Sequence, residues 1–129
     1  MKRPTLTDII LNVLLPLLLG AIPYSLGGRV DIPTFISSHL SDACWAYAFA
    51  SCLLIVWSRR LHAGWMIAAV LVSIDFEALQ YYHFIAGTGD LWDVVTYAAA
   101  TVIAIALNQY FKRTFITDAY KTKSYAYEF

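Results

Sequence analysis

Charge is what this chain has least of. Lys, Arg, Asp and Glu make up 14% of its 129 residues, while 60% are hydrophobic and the mean hydropathy is +0.60. Soluble domains carry about a quarter charged residues, so that class is excluded. Segments alternating apolar and polar residues are missing too, which excludes a membrane barrel. The two cysteines, Cys44 and Cys52, fall eight positions apart on one predicted helix, too far for a disulfide, and read as buried, inert thiols. No glycine-rich phosphate loop, His-Glu-x-x-His helix or nucleophile elbow occurs. The histidines, His39, His62 and His83, are scattered over different helix ends. The expectation is therefore no metal, no cofactor and no nucleic-acid partner.

What is present is hydrocarbon in long runs. Four apolar stretches, about 6–26, 40–58, 63–84 and 91–111, dominate the chain. Each approaches the roughly 20 residues a helix needs to cross about 30 Å of hydrocarbon. The predicted fold is all-α: one integral membrane bundle of four transmembrane helices spanning 1–129, with a cytoplasmic tail at 112–129.

The net charge of zero hides an asymmetry. Lys2, Arg3, Arg59, Arg60, Lys112, Arg113, Lys121 and Lys123 fall on one side if both termini are cytoplasmic; Arg29 alone falls on the other. The positive-inside rule therefore predicts an N-in, C-in, multi-pass membrane protein. The opening Lys2-Arg3 and apolar run also suggest a signal peptide, but 22–26 offers no small-x-small cleavage site, so an uncleaved anchor is expected.

Pro16, Gly20 and Pro23 predict that the outer half of the first helix is kinked or ends early. Residues 27–33 read as an outer loop, and Ser38, Ser41 and Asp42 as caps for the second helix. The turn at 59–62 predicts that helices two and three are antiparallel neighbours. Trp45 and Trp92 are expected near the outer interface and Trp57 and Trp65 near the inner one, as aromatic belts. The basic, aromatic tail from Thr114 to Phe129 reads as a segment lying on the cytoplasmic surface.

The acids are concentrated outside the basic face. Asp31, Asp42, Asp90 and Asp93 belong to outer loops or first turns, and Asp75 and Glu77 lie deeper on the third helix. A charge in such a span costs about 2.5–3.5 kcal/mol by insertion scales unless it is neutralised, paired or wet. Two positions along a helix turn about 200°, so Asp75 and Glu77 point to nearly opposite faces. Glu77 shares its face with Ser73, Gln80, Tyr81 and Phe84; Asp75, beside Leu79 and Tyr82, needs a different partner. On the fourth helix the matching stripe is Asp93, Tyr97, Ala100, Thr101, Ala104 and Asn108. With the short connecting loop, the Glu77/Gln80 face is expected to meet Asp93/Tyr97, the tyrosine hydroxyl hydrogen-bonding the carboxyl. Asp90 and Asp93 also suit a plain cap and first-turn acid.

Glu77-x-x-Gln80, followed by Gly87-Thr88-Gly89-Asp90-x-x-Asp93, resembles the signature of the VanZ-like family of bacterial membrane proteins. The likeness covers about residues 30–110 and is carried by 77–97. The turn lacks the Arg many members have, and Tyr97 stands where many carry Asn. The resemblance implies a four-span envelope protein of the bacterial inner membrane and no particular activity.

Three functions compete. One is a non-enzymatic envelope protein whose outward-facing acidic groove, formed by Glu77, Gln80, Asp90, Asp93 and Tyr97, binds a ligand, lipid headgroup or partner. Another is an enzyme on a lipid-linked envelope substrate at the outer leaflet, with Glu77 as general acid or base and Asp93 orienting a cation or water. The third is a subunit of a larger membrane assembly, with another protein or with copies of itself, whose acids pair with basic residues on a partner helix.

Overall fold

A computed structural model describes residues 6–26, 31, 33–85 and 90–126, with backbone only for 24 and 112–126. The described residues contain helices and turns and no strand. The helices are α1 (Leu6–Ile9), α2 (Leu15–Leu26), α3 (Thr34–Val56), α4 (Ala63–Tyr81) and α5 (Leu91–Ala126), with a π-helical turn over Ile10–Leu14 joining α1 to α2. Four segments are long and apolar enough to cross a membrane: Leu6–Pro23, Thr34–Val56, Ala63–Tyr81 and Leu91–Phe111. The chain is thus an all-helical, multi-pass membrane protein. The expected loop at 27–30, the Gly87-Thr88-Gly89 turn, Lys2, Arg3 and the side chains of the tail lie outside the described residues.

Pro16 explains the irregular start. It has no N–H for the carbonyl four residues back, and the preceding turn widens so that the Leu15 N–H reaches the Ile10 carbonyl, a five-residue step. The wider turn carries Asn12, which is buried. Pro23 is tolerated inside α2 without ending it. The irregularity therefore lies in the turn before Pro16, near the start of the first span, and the expected kink or early end in its outer half is not found: α2 continues to Leu26.

Helix α3 begins six residues earlier than expected. The ring of Pro33 holds φ at −51° immediately before Thr34, and its carbonyl accepts the N–H groups of Ile36 and Ser37. The residues read as caps are consequently interior. Ser38 Oγ donates back to the Thr34 carbonyl at 2.7 Å, and Ser41 Oγ donates across to the Gly20 carbonyl at 2.6 Å. Trp45 moves from the expected interface to about 16 Å inside the helix, where its ring lies over Gly20.

Packing follows small residues rather than chain order. Helix α3 is central, with its most extensive contacts to α5 and then to α2. Ala48, Ser51 and Leu54 on α3 and Ala100, Ala104 and Asn108 on α5 are buried, and small side chains let membrane helices approach closely. The expected α3–α4 pairing is slight, and α4 leans mainly on α5. Helix α5 also runs past 111 to Ala126, continuing in helical form through most of the segment expected as a surface tail.

At the α3–α4 turn, Ser58 and Arg59 both adopt positive φ, 54° and 56°, a region non-glycine residues enter at a cost. The turn sends Arg59 back into the bundle. Its guanidinium hydrogen-bonds Asp8 and donates from Nε to Asn108 Oδ1 at 3.3 Å. Asn108 donates to Ser51 at 3.0 Å, Asn12 donates to Asp8 at 2.9 Å, and Tyr47 donates to Asn12 at 2.9 Å. Gln109 closes the turn by donating to the Arg59 carbonyl at 3.0 Å. The chain of bonds ties α1, the π turn, α3 and α5 together at one end of the bundle.

Candidate functional site

The opposite end gathers the acids. Helix α4 ends at Tyr81, where His83 takes φ 60° and the Phe84 N–H returns to the Leu79 carbonyl at 2.9 Å, a left-handed stop. The chain re-enters at Asp90, whose carboxylate accepts the Trp92 N–H at 3.2 Å while its carbonyl accepts from Asp93 at 3.0 Å. Asp90 is therefore the cap of α5, its side chain accepting the Trp92 amide.

Glu77 is 6% exposed and accepts the backbone N–H of Asp90 at 3.2 Å. The Tyr97 hydroxyl shares a side-chain hydrogen bond with Glu77. The expected meeting of the Glu77 and Tyr97 faces is realised, and the same carboxylate fastens the loop between α4 and α5. Gln80 lies half-buried on the Glu77 face, without a hydrogen bond to the other acids or Tyr97 among the described residues.

Two further residues complete the cluster. His39 Nε2 stands 3.4 Å from Asp93 Oδ1, and Asp42, one helical step along α3, is half-buried within electrostatic range of Asp93, Glu77 and His39. His39 Nδ1 lies 2.8 Å from the Phe35 carbonyl, the geometry of an N–H donor. Its ring stacks on Phe35 at 4.1 Å between centroids. That leaves Nε2 buried beside Asp93 without a hydrogen bond, so a proton there converts the approach into an ion pair.

Sequence reasoning missed His39 and Asp42 because the start of α3 was placed too late. Their three-residue spacing on one helix face, opposite the Asp93/Tyr97 stripe, was the available signal. The resulting site draws on α3, α4 and α5: Asp42 and Asp93 lie near His39, and Glu77 stands within electrostatic range of both acids. Among the described residues, no group of three or more His, Cys, Asp or Glu side chains is arranged to hold a metal ion. The arrangement can accept hydrogen bonds and balance positive charge at the mouth of a bundle. No protein-family model, curated protein or solved structure matches the chain.

Proposed function

We propose that this protein is a membrane-embedded binding protein of the bacterial envelope, using the His39/Asp42/Glu77/Asp93/Tyr97 cluster to hold the cationic part of an envelope ligand. The simplest such ligand is a lipid headgroup bearing an ammonium. The convergence of three acids from three helices with one histidine carries this reading. An excess of carboxylates at a membrane boundary favours a positively charged occupant, whose charge offsets their mutual repulsion.

The orientation supporting it is N-in, C-in in the inner membrane, which turns the cluster outward. The motif likeness to the VanZ-like family agrees with an envelope protein of this size. Binding is favoured over acid or base catalysis because Glu77 is already held by the Asp90 amide and Tyr97.

Native mass spectrometry of the purified full chain tests the proposal, with phosphatidylethanolamine and phosphatidylglycerol as probes. The expected result is at least tenfold preferential retention of phosphatidylethanolamine, lost in Asp93→Asn and Asp42→Asn. Equal retention of the two lipids, or a preference untouched by both substitutions, overturns it.

A further inference from the structure

The two acids of α4 have opposite fates. Glu77 turns into the bundle, whereas Asp75 is exposed on the outer face of the helix. Around it that face presents Leu71, Val72, Ile74, Phe76 and Leu79, all exposed. Only 11% of this span is buried inside the protein, the smallest share of the four. At the Arg59 end of the same helix, a Cβ on Gly64 would meet nothing within 4 Å.

Asp75 lies six residues before Tyr81, about 9 Å inside the end of the helix. A lipid-facing carboxylate at that depth is costly unless it is paired or neutralised. Its short side chain does not reach the surface as the long stems of Lys and Arg do. Asp75 forms no hydrogen bond or ion pair among the described residues.

Among the described residues no basic side chain pairs with Asp75. None of the four spans contains a Lys or Arg, and the one histidine inside them, His39, stands beside Asp93. A two-fold contact between copies through this face would set Asp75 against Asp75. We propose that the exposed face of α4 is the docking surface for a transmembrane helix of a different protein, which carries a Lys or Arg at the depth of Asp75. Charge pairing fixes the depth and partner, while Leu71, Val72 and Leu79 supply packing on either side.

The test uses the full-length chain in phosphatidylcholine vesicles, with energy transfer to two synthetic leucine-alanine transmembrane peptides. One peptide carries a Lys at the depth of Asp75; the other has Leu there. The expected result is association at least tenfold stronger for the Lys peptide, abolished by Asp75→Leu and retained in Asp75→Glu. Asp75→Asn is a second neutral variant should Asp75→Leu lose its far-ultraviolet helical signal. Equal association of the two peptides, or a Lys preference that survives both neutral variants, overturns the proposal. Energy transfer between copies of the chain that Asp75→Leu abolishes also overturns it, by making a second copy the occupant.

Discussion

Arg59 and Asp8, 51 positions apart, form an ion pair at the end of the bundle opposite the acids. Both side chains are largely enclosed, 15% and 9% exposed, and the pair joins the first span to the turn after α3. Removing one member leaves the other charge enclosed and uncompensated, a loss of about 3 kcal/mol or more for buried pairs. Arg59→Met should therefore lower the stability of the purified protein by that order, followed by thermal unfolding in detergent. Asp8→Leu combined with Arg59→Met should recover part of the loss. Equal stability of Arg59→Met and the parent would show that the pair contributes nothing.

At the other end, Glu77 acts on the loop before it acts on any ligand. Its carboxylate accepts the Asp90 N–H at 3.2 Å, and Gln at 77 retains an oxygen that can do the same. Glu77→Gln should leave exchange of the Asp90 amide close to that of the parent. Glu77→Ala, which removes the acceptor, should speed it by about tenfold or more, the equivalent of one hydrogen bond to a charged group at about 1.5–3 kcal/mol. Hydrogen exchange followed by NMR reads the difference, and identical protection in the two variants would contradict the assignment.

The parts legible in the sequence are those written in hydropathy. Long apolar runs have few ways to satisfy their backbone in lipid, so the helices and their number could be read directly. Polar residues inside such runs are equally conspicuous, which is why Glu77, Asp93 and Tyr97 were recognised as one face. Pairing between helices was harder. The short 59–62 turn argued for α3 against α4, but Ala48, Ser51, Ala100 and Ala104 permit a closer approach between α3 and α5, and packing overrides adjacency. His39 and Asp42 were hidden by a boundary error: Ser38, Ser41 and Asp42 read as caps of a helix starting near 40, although Pro33 was the stronger start signal. The role of Arg59 depends on two left-handed residues without glycine, a backbone choice that no residue type announces.

The orientation is open to direct test. A fluorescent reporter joined after Phe129 should be active on the cytoplasmic side. A single Cys placed at Thr88, between α4 and α5, with Cys44 and Cys52 replaced by Ala, should react with a membrane-impermeant maleimide added to intact cells. The eight basic residues on one side make this the favoured insertion. Labelling at 88 only after the membrane is broken would reverse the topology and turn the acidic cluster inward.

Gly20 gives the most local prediction, because its hydrogen is replaceable only by moving a neighbour. A Cβ there would stand 2.7 Å from Trp45 Cδ1, 2.9 Å from Trp45 Nε1 and 3.0 Å from Cys44 Cβ. The indole is half exposed and can swing toward lipid, but Cys44 Cβ is fixed to the α3 backbone, so α2 and α3 must part slightly. The Ser41 bond to the Gly20 carbonyl, at 2.6 Å, lies in the same contact and should lengthen with it. Gly20→Ala should cost about 1–3 kcal/mol, as overpacking does, and change the emission of Trp45, isolated by replacing the other three tryptophans with Phe. Adding Trp45→Ala should restore only part of the stability, since Cys44 still meets the new methyl. Full restoration would place the whole clash on the indole and leave the backbone approach of the two helices unconstrained.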